Sequence, residues 1–303
     1  EDKMPVSILN IPNSFVTFYD LGTDVGRSEY ITDTNCGIQK DFCYPIYELG
    51  DLAFQTQIVS SGAISSITVF KVMADGTSVN LNDVIISIVS NGTQSGVPIY
   101  NIYFSFVLSN LLDNTFDGDC FTLQLDVDVP DVRTPTFISN QCFKKINDKC
   151  LTTKLQYFNN ENAFGFLYRT AVVVINPPPA PPLLIPTTNY IRLPLYLKEP
   201  IISSTKNVYV RSDGSRKLLS ARLAKKYKAF VDNVTEEAHQ NIVVALNHDQ
   251  ITLTPENLTN GIQVRFEDEY NNNFPEIMQN VSVWSADFSI FETPFNNFNS
   301  NCL

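Results

Sequence analysis

Val208-Tyr-Val-Arg-Ser-Asp-Gly-Ser-Arg-Lys-Leu-Leu-Ser-Ala-Arg-Leu-Ala-Lys-Lys-Tyr-Lys-Ala-Phe-Val231 decides the fold class, together with the residues that follow it to Ile251. Two apolar runs flank Asp213-Gly214. An Asp-Gly pair in that setting predicts a two-residue hairpin turn of type I′, because both central positions need positive φ. Tyr227 to Val231 reads as a third strand. The period then changes: Ala238, Ile242, Ala245 and Leu246 recur at helical spacing. Asn233 or Thr235 can cap that helix, and Glu236 and Glu237 suit the positive end of its dipole. The stretch therefore reads hairpin, strand, one short helix near 235–247, strand. It carries no catalytic motif.

Upstream of this stretch the pattern is that of strands. Leu52, Phe54, Thr56 and Ile58 alternate with Ala53, Gln55 and Gln57. Ile67 to Val72, Val84 to Val89 and Ile99 to Leu108 are further candidates, and Asp75-Gly76 follows the first of them. The cleanest alternation runs from Phe121 to Val129. There Phe121, Leu123, Leu125, Val127 and Val129 face one way, and Thr122, Gln124, Asp126 and Asp128 the other. That is the mark of an antiparallel sheet with one buried and one wet face. Leu151 to Phe158 and Phe164 to Ile175 close this region, and no helix is expected before residue 176. Downstream, Ile191 to Leu197, Ile251 to Leu253, Gln263 to Glu267 and Val281 to Ile290 read as strands. In the last of these Trp284, Ala286, Phe288 and Ile290 share a face. The tail at 296–301 is polar and reads as loose. Many short strands between turn signals predict an all-β chain of antiparallel sandwich or barrel domains, with one helix.

Asn176 to Pro186 holds six prolines in eleven residues. Such a run cannot enter a sheet interior and favours an extended spacer. It divides the chain into an N-terminal β-domain (1–175), a linker (176–189) and a C-terminal β-domain with the helix (190–303). Val69 to Val79 and Val208 to Leu218 echo each other weakly as strand, Asp-Gly, strand.

A chain of 303 residues with 44% hydrophobic and 17% charged residues is globular. A net charge of −11 argues against nucleic acid as a partner. No apolar run approaches the ~20 residues of a membrane helix, so no membrane insertion is expected. The opening Glu1-Asp-Lys-Met-Pro5 has no signal-peptide core, which leaves open whether one was removed. Six cysteines (36, 43, 120, 142, 150 and 302) are sparse for this length, and they read as mostly reduced, buried thiols. Their gaps do not match a zinc signature.

Candidate chemistry is thin. His239 and His248 stand nine residues apart, too far round a helix to share a metal. They read as one exposed helix histidine and one beyond the helix end, where positive charge is favourable. Asp113 to Asp119 gathers three carboxylates and Gly118 in one loop, but EF-hand spacing is missing and a solvated turn is the plainer reading. Sequons stand at Asn91, Asn233, Asn257 and Asn280, which matter only in a secretory pathway. No catalytic residue, cofactor or metal is assigned, and the chain does not read as an enzyme.

Charge is uneven. Lys206, Arg211, Arg216, Lys217, Arg222, Lys225, Lys226 and Lys228 face Asp213 alone across 206–228, a net +7 that leaves −18 on the remainder. The plain reading is a solvated edge guarded by lysines. The sharper one is a docking surface for an acidic partner or another copy of the chain. On that reading Arg211, Arg216, Lys217, Arg222, Lys225 and Lys226 are candidates for one side of a subunit interface, and Asp126 and Asp128 for the other.

A series of phrases is more distinctive than any single motif. They are Asp117-Gly-Asp-Cys-Phe121, Asn140-Gln-Cys-Phe143, Cys150-Leu-Thr-Thr153, Tyr157-Phe-Asn-Asn-Glu-Asn-Ala-Phe-Gly-Phe166, Arg192-Leu-Pro-Leu-Tyr-Leu197, Ser212-Asp-Gly-Ser215, and His239 followed by Ala245-Leu-Asn-His-Asp249. In this order the chain resembles structural proteins encoded in the tail modules of bacteriophages and prophages of Bacteroidetes. The Pro177 to Pro182 run departs from that pattern. The resemblance implies a virion structural protein of the tail or tail tip, assembled in the host bacterial cytoplasm, with a ring of its own copies or other virion proteins as partners. It supplies no catalytic residues. A surface glycan-binding or adhesin module, with a host-surface glycan as ligand, is the alternative.

Overall fold

The computed structural model describes residues 6–12, 14–20, 42–47, 50–106, 111–113, 115–130, 135–149, 151–168, 187–256, 258, 260–267, 269–272, 283–293 and 297–299. Among the described residues the chain is all-β, with several mostly antiparallel sheets and one helix. Its strands are β1 (Ser7–Leu9), β2 (Phe18–Asp20), β3 (Tyr44–Ile46), β4 (Ala53–Val59), β5 (Ser66–Met73), β6 (Ser78–Asn80), β7 (Ile85–Gln94), β8 (Val97–Ser105), β9 (Cys120–Asp128), β10 (Thr136–Ser139), β11 (Phe143–Lys145) and β12 (Thr153–Phe158). They continue with β13 (Asn189–Leu193), β14 (Leu195–Leu197), β15 (Ile201–Val210) and β16 (Arg216–Thr235). After the helix α1 (Glu236–Leu246) come β17 (Gln250–Pro255), β18 (Ile262–Phe266), β19 (Asn271–Asn272), β20 (Val283–Glu292) and β21 (Asn297–Asn299).

The larger sheet runs β14-β16-β20-β18-β17-β12-β13-β4-β8-β7, with β1 on β4, β15 and β21 on β16, and β19 on β20. The smaller runs β2-β10-β9-β11-β3, with β5 on β9 and β6 on β5. Strands from both sides of the proline-rich stretch interleave in the larger sheet: β12 lies between β13 and β17, and β13 also meets β4. Residues 176–186 of the expected linker lie outside the described residues. The two sheets share buried side chains. Phe18 of β2 sits 5.7 Å from Phe54 of β4, and Phe15 bridges Tyr44 of β3 and Tyr157 of β12 at 5.9 and 6.0 Å. Aromatic pairs of this kind contribute ~0.5–1.5 kcal/mol each beyond the area they bury.

The alternation read from the sequence is realised in β9, where Phe121, Leu123, Leu125 and Val127 are buried and the intervening residues are partly or fully exposed. β20 behaves likewise, burying Trp284, Ala286, Phe288 and Ile290. In β4 the alternation does not translate into a wet face. Gln55 is buried because residues 166–168 cover it: its side-chain amide donates to the Leu167 carbonyl, and its oxygen accepts from the Leu167 amide.

Several local expectations need correction. The Asp213-Gly214 turn is a three-residue loop, not a two-residue one. The Gly214 amide donates to the Arg211 carbonyl and the Arg211 amide to the Ser215 carbonyl, while only Gly214 has positive φ, at 83°. That is a type I turn closed by a left-handed glycine. The Asp213 carboxylate fixes it by accepting from the Ser215 amide at 2.8 Å. Asp75-Gly76 forms the same turn with Met73 and Thr77. The double positive φ of a type I′ turn is instead at Ser95-Gly96, between β7 and β8.

Tyr227 to Val231 is no separate strand, since β16 runs unbroken from Arg216 to Thr235. Pro194, unable to donate, divides the expected Ile191–Leu197 strand into β13 and β14. Phe164 to Tyr168 forms a turn around an Ala163–Phe166 bridge instead of a strand, and the rest of that expectation lies outside the described residues. Within the tail expected to be loose, β21 pairs with Ser220 to Arg222.

The reading of mostly reduced thiols fails for one pair. β3 and β11 run parallel with Tyr44 opposite Phe143, which sets Cys43 beside Cys142 at a Cα separation of 4.9 Å, and the two form a disulfide. Ninety-nine residues of separation hide that neighbourhood in the sequence. Cys120 is a free thiol; Cys36, Cys150 and Cys302 lie outside the described residues.

Candidate contact surface

β15 and β16 form a ribbon that leaves the body of the protein. From Lys226 to Thr235, β16 is flanked by β20 on one side, and from Leu195 to Leu197 β14 lies on the other. Farther out, β21 touches it at Ser220 to Arg222. Between Ser220 and the turn, β16 pairs with β15 alone among the described residues. The residues there are exposed on both faces of the ribbon: Lys206 to Arg211 on one strand, Arg216 and Leu218 on the other. Val208 is 45% exposed, Tyr209 and Val210 56% each, and Ile202 nearer the body 73%. A two-stranded ribbon with both faces wet is marginal by itself, and β-branched and aromatic residues at these positions suit a covered surface.

The basic candidates fall on this ribbon unequally. Arg211 opens the turn, and Arg216 and Lys217 lie opposite Val210 and Tyr209. Lys225 and Lys226 lie at its root. Lys225 pairs with Glu292 at 3.3 Å, and the Lys226 ammonium lies 5.4 Å from the Phe291 ring centre. Glu292 also accepts from the Tyr227 hydroxyl, whose pKa is pushed up to about 12 by burial and by that carboxylate. Root and tip therefore differ: the root lysines are engaged with their own chain, and the tip residues face solvent. The side chain of Arg222 lies outside the described residues, although its backbone pairs with Thr205 and Asn297.

Asp126 and Asp128 lie on the outward face of β9, as the alternation predicts. Asp126 accepts from Gln124 and Thr136 at 3.0 Å each, and exposed Asp128 accepts from the Ser65 hydroxyl at 2.5 Å. They belong to the smaller sheet, whereas the ribbon extends from the larger one. The exposed apolar residues of the ribbon were missed at the sequence level. The signal was the unbroken Val208-Tyr-Val210 run: a strand with one wet face would alternate there, and this one does not.

The acidic loop at 113–119 holds cations of the chain's own. Buried Lys71 donates its ammonium to the Asp113 carbonyl and to the Thr115 hydroxyl at 2.7 Å, and Lys145 donates to the Thr115 carbonyl. Burial lowers the pKa of Lys71. Asp117 and Asp119 accept from the amides of Asn147 and Phe116. Among the described residues no cluster of three metal-ligating side chains occurs.

Both histidines are buried, which corrects the expectation of an exposed His239. Its Nε2 donates to the Trp284 carbonyl at 3.0 Å, and its Nδ1 accepts from the Tyr270 hydroxyl at 2.7 Å, with the ring stacked on Trp284. His248 lies past the helix end, as read, but not as a cation. Its Nδ1 donates to the Val244 carbonyl at 2.8 Å and its Nε2 accepts from the Tyr168 hydroxyl at 2.7 Å. A carbonyl can only accept, so each ring has a fixed tautomer. Desolvation lowers both pKa values. Among the described residues the hydrogen-bond partners of both rings are tyrosine hydroxyls and backbone carbonyls, and both rings act as fastenings. No known protein family, curated protein or solved structure matches the chain.

Proposed function

We propose that the chain is a structural subunit of a bacteriophage virion, of the tail or tail tip, and that the tip of the β15–β16 ribbon is the arm with which one copy engages an acidic surface of the next. The observation that carries this reading is the ribbon itself. It is a two-faced, apolar and basic projection from a chain whose residues outside 206–228 carry −18. The resemblance to tail-module proteins, carried by phrases that cover most of residues 115–250, supports the same reading. Charge of this kind selects partner and register; the apolar tip supplies the buried area that holds a contact. Four paired rows at ~3.3 Å carry the turn about 13 Å outward, and a ribbon roughly 10 Å wide then offers on the order of 260 Å² over two faces. A stable interface needs about 800 Å² per partner, so one arm is not sufficient and the neighbouring body must contribute. In a ring with arms passed head to tail, body-to-body contact beside each arm supplies the remaining area, and exposed Asp128 on β9 is the better placed of the two acidic candidates.

The test is the assembly state of the wild type and of an Arg211→Glu/Arg216→Glu/Lys217→Glu variant, by sedimentation velocity and negative-stain imaging at low and moderate salt. The expected result is higher-order wild-type particles and a folded variant that stays monomeric. Equal assembly by both, or a wild type that is monomeric throughout, overturns the proposal.

A further inference from the structure

Three sulfurs meet at one end of the smaller sheet. Phe121 of β9 is opposite Phe143 of β11, and Phe143 is in turn opposite Tyr44 of β3. These three rings point into the core, with Phe143 stacked on Phe121 at 5.7 Å and tilted against Tyr44 at 6.2 Å. In a strand, neighbouring residues point to opposite faces. Cys120, Cys142 and Cys43, each one residue away from those rings, therefore share the outward face. Cys43 and Cys142 form the disulfide, and the Cys120 thiol lies 3.9 Å from Cys43 Sγ. Cys142 is buried, while Cys120 is half-exposed beside Lys144, its cross-strand partner.

We propose that these residues form a thiol–disulfide exchange centre in which Cys120 is the attacking thiol. The Cys120 thiolate adds to Cys43 Sγ, the Cys43–Cys142 bond breaks, and Cys142 leaves as a thiolate that takes up the proton Cys120 released. One disulfide is consumed and one is formed, so the step needs no external oxidant or reductant. Two consequences follow from position. The cross-link moves from the adjacent β3–β11 pair to β3 and β9, the strands on either side of β11. The free thiol moves from a half-exposed site to a buried one, out of reach of further partners. Burial raises the Cys120 pKa and the Lys144 ammonium opposes that, so the exchange quickens as pH rises toward the thiol range. The proposal is independent of the function proposed above.

The test uses the unreduced full chain. Lys71 and Arg133 separate the three cysteines into different tryptic peptides. Protein held at about pH 8.5, near the free-thiol pKa, is quenched with acid, alkylated and mapped by mass spectrometry. Both Cys43–Cys142 and Cys43–Cys120 peptides are expected in the wild type. The Cys120→Ser variant should show the first alone. The Cys142→Ser variant, oxidised with glutathione disulfide and folded by circular dichroism, should show the second. Cys43–Cys142 alone in the wild type, with Cys120 fully alkylated, overturns the proposal. So does a folded Cys142→Ser protein that forms no Cys43–Cys120 link.

Discussion

Replacing Asp51 by Asn should be among the most damaging single changes in the protein. Asp51 is fully buried and Arg192 is 2% exposed. The Arg192 Nε donates to Asp51 Oδ2 at 2.6 Å and its Nη2 to Oδ1 at 3.1 Å, a two-pronged contact, and Nη1 donates to the Thr152 hydroxyl. The same carboxylate accepts from the Tyr47 amide at 2.8 Å. The pair also spans a weak seam. Among the described residues β13 and β4 are joined in register only at Tyr190 and Ala53, so the bridge from Arg192 of β13 to Asp51, two residues before β4, pins that joint. Asn cannot neutralise a guanidinium, which would stay buried and charged. Breaking one side of such a pair costs about 3–5 kcal/mol, and at roughly 2–4 °C per kcal/mol the Tm should fall by about 6–20 °C. The control is Asp51→Leu/Arg192→Met, in which both charges leave together and most of the loss should be recovered. Calorimetry or circular dichroism melts of the three proteins decide it. A shift under about 2 °C for Asp51→Asn, or a double variant no better than the single, would refute the reasoning.

Three further outcomes are expected. His239 and His248 are held neutral with pKa values below the ordinary 6.5, so the unfolded chain binds more protons than the folded one as pH falls through 6.5. Stability should therefore be flat above that pH and decline below it, and a His239→Gln variant should lose part of the slope; a Tm that holds or rises from pH 7 to 5.5 contradicts this. Thr235 caps the helix by accepting from the Ala238 amide, and Thr235→Ala should cost ~1 kcal/mol in chemical denaturation, with no measurable loss counting against the cap. A protease site placed at residues 178–183 and cleaved should leave two fragments that co-elute, because β12 pairs with both β13 and β17; fragments that separate without denaturant would count against the shared sheet.

Local pattern carried the strands and the helix well, because one face of each is buried and the other is not. β9 and β20 are legible for that reason, and α1 begins at a capping threonine that the sequence displays. What local pattern could not show is pairing at a distance. Nothing near Cys43 points to Cys142, and nothing in the Leu151 to Phe158 run points to a strand almost a hundred residues later. The turn at Asp213 was misread because the dipeptide is shared by two turn types, separated here by the hydrogen bond from the Gly214 amide to the Arg211 carbonyl and by a positive φ at Gly214 but not at Asp213. His239 was misplaced because exposure on a short helix depends on what packs over it, here Trp284 and Tyr270. Of the candidate surface, the charges were visible and their partners were not: Lys225 is tied to Glu292, sixty-seven residues away in the chain.

The length of β16 has a mechanical meaning. One strand reaches from the turn at the arm's tip, past β21, between β14 and β20, to the first turn of α1. A pull on the tip acts along that strand, while the bonds of its ladder with β20 lie across it. The ladder is therefore loaded in shear, with its rungs sharing the force at once instead of opening one after another. The ribbon is anchored as a strut is anchored, and tension applied at its tip enters the protein along the strand that this ladder braces.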